Sequence, residues 1–276
     1  MPDIFLLIGQ SNMAGRGVLT AENRITDGRV KTLVNGRFMP MWEPLSKDRE
    51  FAGASLAPAF AAAYADYTGR EVGLVPCADG GSGVAEWQPG EPLFENAVND
   101  TLLAVRAGTL KAVLWHQGEH DVPAESLAHY PERFMTMVNA LRDRFGDPDL
   151  PFYVGALGDY LADNPHTEHY AHLADFNAML QTVARTQKHI TFVSAAGLTD
   201  KGDKLHFDTP SLRAFGKRYF AAYLADHPDL ETAVSVTQIP ETPTAEGLAA
   251  VKKAMEAGTV SREAYEDYLA AYVKTL

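Results

Sequence analysis

Five short runs of the chain are apolar at nearly every position: Ile4–Ile8, Val72–Cys77, Ala112–His116, Phe152–Leu157 and Ile190–Ala195. A strand covered on both faces needs apolar side chains on both, so these runs predict parallel strands inside a sheet. Between them the apolar positions fall three and four apart, which predicts helices. One is marked by Leu56, Phe60, Tyr64 and Tyr67. The next runs through Phe94, Ala97, Val98, Thr101, Leu102 and Val105, with Gly108 beyond it as a C-terminal cap. Phe134, Val138, Leu141 and Phe145 mark a third that stops at Gly146, and Phe176, Met179, Leu180 and Val183 a fourth. Leu212, Phe215, Tyr219 and Tyr223 mark a fifth, opened by Asp208-Thr209-Pro210. Alternating strands and helices imply an α/β fold with a five-stranded, doubly wound parallel sheet. Sites in such sheets lie outside the C-terminal ends of the strands.

Two regions break the alternation. Residues 15–53 form a long insertion after the first strand, and Leu33-Val34-Asn35-Gly36-Arg37-Phe38 within it reads as a β-hairpin turning at Asn-Gly. Connections of this length often carry binding surfaces. The chain divides into a main domain, residues 1–228, and an extension, residues 229–276. Ser235–Thr244 is rich in Thr and Pro and reads as a linker. Leu248, Val251 and Met255, then Gly258 and a Ser261 cap, then Tyr265, Leu269 and Tyr272 predict a helical hairpin. Its expected role is a contact for homo-oligomer formation, a lid, or a cover over apolar surface.

Composition narrows the function. At 276 residues and 46% hydrophobic, the chain can bury a full core. A net charge of −12 argues against nucleic acid and against a polyanionic surface as partners. A lone cysteine, Cys77, rules out an internal disulfide. The opening MPDIFLLIGQSN lacks the basic start and cleavage site of a signal peptide, so the expectation is a cytoplasmic enzyme. No apolar run reaches the ~20 residues that would cross a membrane.

The polar residues with chemical potential cluster just past strand ends. Gly9-Gln10-Ser11-Asn12-Met13-Ala14-Gly15-Arg16 follows the first strand, where Ser11 is placed either as an exposed nucleophile or as a plain capping serine. Met13 breaks the G-x-S-x-G elbow. Ala78-Asp79-Gly80-Gly81-Ser82-Gly83 follows the second, with Glu86-Trp87 beyond. Its glycines allow backbone N–H groups to approach a developing negative charge, and without a Gly-Lys-Ser or Gly-Lys-Thr ending a phosphate loop is disfavoured. Trp115-His116-Gln117-Gly118-Glu119-His120-Asp121 follows the third. The H-x-x-E-H within it would hold zinc only on a helix, and here it starts at a strand end, contains a glycine and runs into Pro123. Asp203-Lys204-Leu205-His206-Phe207-Asp208 precedes the last main-body helix, and a carboxylate three residues from a histidine suits a base and its orienting partner.

Together these blocks resemble the SGNH-hydrolase superfamily, in its sialate O-acetylesterase and acetylxylan-esterase-like branch, carbohydrate esterase family six. The resemblance spans residues 3–225. It rests on G-Q-S-N-M-A-G-R-G at 9–17, V-P-C-A-D-G-G-S-G at 75–83 with Glu86-Trp87, W-H-Q-G-E at 115–119 and D-K-L-H-F-D at 203–208. It implies a flavodoxin-like three-layer α/β/α sandwich and a serine esterase that removes O-acetyl groups from a carbohydrate such as sialic acid or xylan. The resemblance makes Ser11 the nucleophile, His206 the base and Asp203 its orienting partner. Its oxyanion hole would comprise the Ser11 N–H, the N–H of Gly80 or Gly81, and the Gln117 side chain. Asn12, Arg16, Trp87 and Glu119 are the candidate substrate contacts, an acetylated saccharide is the expected partner, and neither metal nor organic cofactor is expected. His120 departs from the small residue usual after Q-G-E. An esterase or thioesterase for a lipid or small acyl ester is the alternative within hydrolases, although Arg37, Glu43, Lys47, Asp48, Arg49 and Glu50 in the insertion favour a polar ligand. A catalytically dead carbohydrate-binding module is the alternative from another class, and it would need none of Ser11, Asp203 and His206.

Overall fold

The computed structural model describes residues 1–232 and 243–275. In chain order its elements are β1 (Asp3–Gly9), α1 (Ser11–Ala14), β2 (Val30–Val34), β3 (Arg37–Pro40), α2 (Ala57–Thr68), β4 (Val72–Pro76), α3 (Pro92–Ala104), β5 (Thr109–His116) and α4 (Ala124–Phe145). There follow β6 (Phe152–Gly155), α5 (Leu173–Thr186), β7 (Ile190–Val193), α6 (Thr209–Asp226), α7 (Ala245–Glu256) and α8 (Arg262–Val273).

The strands form one sheet in the order β3-β2-β4-β1-β5-β6-β7, parallel except for β3. Four of the apolar runs are therefore interior parallel strands, as their composition demands, while the fifth, β7, is a parallel edge strand with Thr191 and Phe192 half-buried. The sheet has seven strands rather than the five expected. The Asn-Gly hairpin forms, with Asn35 and Gly36 at φ 49° and 74°, and β2 then pairs with β4 through Val30↔Val72 to Thr32↔Leu74. Local sequence predicts the turn, but whether a hairpin docks on a sheet edge depends on a distant partner.

The sheet is covered on both faces. On one, Phe5 of β1 packs edge-on against Phe60 of α2 and Tyr223 of α6. On the other, Trp115 of β5 meets Phe134 of α4, and Tyr130 of α4 meets Phe176 of α5. Asp208 caps α6 by accepting from the Ser211 N–H, and Gly146 ends α4 in the left-handed conformation. Gly108 is not a cap: α3 ends at Ala104 with Val105 as its C-cap, and Gly108 sits against the Pro2 carbonyl at the entry to β5.

The helical hairpin of α7 and α8 forms, with Thr244 and Ser261 as N-caps. Val251, Ala254, Val260 and Tyr268 make a small apolar cluster of their own, and Lys253 pairs with Asp66 of α2 at 3.2 Å. Most of the Thr- and Pro-rich linker lies outside the described residues. No helix among the described residues is long and apolar enough to cross a membrane.

The crossing of α2 and α6 depends on Gly216, where a Cβ would stand 2.1 Å from the Leu56 carbonyl oxygen. Gly216→Ala is expected to push these helices apart and cost about 1–3 kcal/mol. Urea unfolding of the two proteins measures it.

Candidate active site

The site is built where β1 ends. Gly9 (φ 129°) turns the chain beside β5, and the Gln10 N–H donates to the His116 carbonyl at 2.9 Å. The turn sets Ser11 at the start of α1. The insertion leaves and returns at the same place, because Gly17 and Ala54 exchange backbone hydrogen bonds and the Gly53 N–H reaches the Gly15 carbonyl. Its residues 48–51 are thereby held next to Ser11. The loops after β4 and β5 and the loop before α6 complete a pocket of about 350 Å³ lined by Ser11, His206, Gly80, Gly81 and Glu119 among others.

Ser11 Oγ lies 3.1 Å from His206 Nε2, and His206 Nδ1 lies 2.8 Å from Asp203 Oδ2. An ionised carboxylate can only accept, so the Nδ1 proton faces Asp203 and Nε2 is left to accept from Ser11. Asp203 Oδ1 also accepts from the N–H groups of Leu205 and His206, at 3.0 and 2.8 Å. Partial burial opposes ionisation of Asp203, but these N–H groups and the His206 ring outweigh it and hold the carboxyl at about 2.

The loop that carries His206 is fixed at several points. Phe207 is buried among the rings of His116, Tyr160 and Phe215. Asp200 accepts from the N–H groups of Gly202 and Lys204, and Asn164 donates to the Lys204 carbonyl. Asn12, next to Ser11, grips both flanks of His206. It donates to the Leu205 carbonyl at 3.2 Å and accepts from the Phe207 N–H at 3.1 Å. Its amide also donates to Glu119 Oε1 at 2.5 Å.

Several expected contacts have other duties. Asn12 is fully buried in this grip, so it holds the His206 loop and does not face the pocket. Trp87 is also fully buried, donating to Ser82 Oγ and lying edge-on against Trp115. An aromatic beside a strand end belongs here to the core. Gln117 is buried beneath the pocket, and its amide donates to Gln10 Oε1, the Ser82 carbonyl and Asp121 Oδ2, the last at 2.6 Å. Two amide hydrogens already facing three acceptors leave none for an oxyanion. Gln117 instead joins the loops after β4 and β5, helped by Asp121, which accepts from the Val84 N–H.

The two glycines differ in their backbone hydrogen bonds. The Gly80 N–H is donated to Asp48 Oδ2 at 2.9 Å. The N–H groups of Gly81 and Ser11 have no partner among the described residues, and Gly81 is exposed on the pocket wall. Arg16 does line the pocket, but its guanidinium is committed to Asp48 at 2.5 Å with both side chains buried. Burial pushes the Asp48 carboxyl up, yet Arg16, the Gly80 N–H and Ser46 together bring it below its ordinary value. Glu119 reaches the wall with one oxygen held by Asn12.

Asp48 and Arg49, expected only as part of the insertion's polar character, belong to the site, and so do Phe51, His169 and Tyr170, which no sequence pattern marked. The first three sit on the insertion, whose length was the available signal. His169 Nε2 lies 2.7 Å from the Glu119 carbonyl oxygen, which only accepts, so this ring nitrogen carries the proton and donates. His116 ends β5 with its Nε2 on the Ala156 carbonyl, whereas His120 is exposed on the following turn. The two therefore do not share a helical face, and among the described residues no group of three or more His, Cys, Asp or Glu is arranged to hold a metal ion.

Residues 1–225 match the family described as carbohydrate esterase, sialic acid-specific acetylesterase. The chain belongs to this family. A probable carbohydrate esterase of Arabidopsis thaliana, At4g34215, is 30% identical over 254 residues, covering 81% of this chain and 90% of the relative. The X-ray structure of the Arabidopsis thaliana AT4G34215 protein superposes with a TM-score of 0.72 at 28% identity, over 81% of this chain and 98% of that one. The crystal structure of NanS shares the fold, with a TM-score of 0.67 at 19% identity over 82% and 98% of the two chains. This carbohydrate esterase family thus supplies the fold expected from the sequence.

Two outcomes follow from the geometry. Loss of the Asn12 grip in Asn12→Ala should lower kcat about ten- to hundredfold by letting the His206 loop drift, with little change in KM. Steady-state ester hydrolysis, with circular dichroism to verify folding, decides this. Because the Asp203 carboxyl is depressed from 3.8 to about 2, it stabilises the fold fully above pH ~4, and that stability is lost as pH falls towards 2. The unfolding free-energy difference between wild type and Asp203→Asn should therefore be flat above pH ~4 and shrink below it.

Proposed function

We propose that the protein is a serine esterase that removes O-acetyl groups from a carbohydrate. The observation that carries this reading is the Ser11–His206–Asp203 relay, at 3.1 and 2.8 Å, on the floor of an open pocket at the strand ends. Family membership supports acetyl-ester chemistry on a saccharide, and the relatives' names include carbohydrate acetylesterases.

In the first step Ser11 Oγ attacks the acetyl carbonyl carbon while His206 Nε2 takes the hydroxyl proton. Asp203 stabilises the imidazolium so formed. The N–H groups of Ser11 and Gly81 face the developing oxyanion, in place of the Gln117 amide. The tetrahedral intermediate collapses by breaking the bond to the sugar oxygen, which leaves with the proton held by His206. The acetyl group is then an ester of Ser11. Water attacks it, giving a proton to His206, and collapse returns that proton to Ser11 and releases acetate.

Ser11→Ala should lower acetate release by about a thousandfold or more, and Ser11→Ala/His206→Ala should be little worse than either single change, because the two side chains act as a unit. Hydrolysis of p-nitrophenyl acetate and of acetylated sugars by the three variants tests this. Equal rates for wild type and a folded Ser11→Ala protein would exclude Ser11 as the nucleophile.

A further inference from the structure

We propose that Phe51 is the platform on which the sugar ring of the substrate stacks. The proposal rests on the reading of the protein as a carbohydrate esterase and adds the residue that distinguishes a sugar ester from a plain one.

Phe51 is 70% exposed, and among the described residues it is the exposed large apolar side chain that lines the pocket of Ser11 and His206. An exposed aromatic scattered on a surface needs no explanation, but one at the mouth of a catalytic pocket offers contact area to whatever enters. The ring is also held on one face. The Arg16 guanidinium sits 5.2 Å from its centroid, and Arg16 is immobilised by its buried pair with Asp48. A cation over one face occupies that face and leaves the rest of the ring to solvent.

The backbone that carries the ring is equally constrained. The Ala52 N–H closes a turn onto the Arg49 carbonyl, and the next residue, Gly53, is bonded to Gly15. Arg49 in turn donates to the Gly80 carbonyl. The Phe51 turn and the Gly80-Gly81 loop are thus tied together at the pocket.

A pyranose suits this surface. One face of such a ring presents several C–H bonds, whose hydrogens carry partial positive charge, to the negative face of an aromatic ring. Its hydroxyl groups remain free for the polar wall formed by Arg49, His120 and His169. A sugar laid on Phe51 would present a ring-borne acetyl ester towards Ser11. A plain alkyl acetate has no ring to lay down and gains nothing from the platform.

The test compares wild type, Phe51→Ala and Phe51→Trp on four esters: an O-acetylated methyl xyloside, an O-acetylated methyl sialoside, ethyl acetate and ethyl butyrate. For whichever sugar the wild type prefers, Phe51→Ala should lower the ratio of its kcat/KM to that of ethyl acetate about tenfold, mostly through KM. Phe51→Trp should keep most of the ratio. An unchanged ratio in Phe51→Ala, whether from no loss or from equal losses, would overturn the platform. So would a loss that follows the acyl chain, with ethyl butyrate affected like the sugar esters, because the ring would then line the acyl site. Wild type active on ethyl acetate but on neither sugar also removes it. Wild type inert on all four esters sinks the esterase reading itself and the platform with it.

Discussion

Where β1 ends, Gly9 lies so close to β5 that a Cβ would stand 2.1 Å from the His116 carbonyl oxygen. No side chain fits there, and the backbone of the two central strands can therefore meet through the Gln10 N–H. This contact brings the Gln10 side chain beneath the loop after β5, where its Oε1 accepts from Gln117 Nε2 and the N–H groups of Gly118 and His120. The Ser11 turn and the loop of Gln117 and Glu119 are thereby held in one register. Through Gln117 the same register extends to Ser82, and so to the Gly80-Gly81 loop.

Around that junction the site is stiffened by buried polar pairs. Arg16–Asp48 and Asn12–Glu119 each remove charge or amide from water, which costs free energy unless partners satisfy them. Asp48 satisfies three groups at once: Arg16, Ser46 and the Gly80 N–H. By capturing the Gly80 N–H it leaves the neighbouring Gly81 as the free donor. Breaking one partner would leave a buried charge alone, so such pairs favour a single arrangement of the loops over simple stability.

The insertion changes character in this light. Its hairpin extends the sheet, while its far end returns to Gly15 and Gly17 and supplies Asp48, Arg49 and Phe51 to the pocket. One segment thus completes an edge of the fold and a wall of the site. The chain's overall charge of −12 gives no hint of this wall, where Arg16, Arg49 and three histidines gather, because net charge is a sum and a pocket is a local selection.

The sequence by itself determined the strands, the main helices and the positions of Ser11, Asp203 and His206. The strands and helices depend on short-range rules, apolar runs for buried strands and three-and-four spacing for helix faces, whereas Ser11, Asp203 and His206 were picked out through the family resemblance of the motifs that carry them. The tertiary structure alone decided how polar groups were paired. Gln117 and Trp87 have side chains suited to an oxyanion or a sugar, yet both are fully buried, Gln117 bonded to the loop after β4 and Trp87 to Ser82 of its own loop. Whether an amide faces a pocket or its foundation depends on acceptors that are tens of residues away, such as Gln10 and Ser82. The docking of β2 on β4 and the placement of Phe51 beside Ser11 were set in the same way, by partners remote in sequence, which no local pattern records.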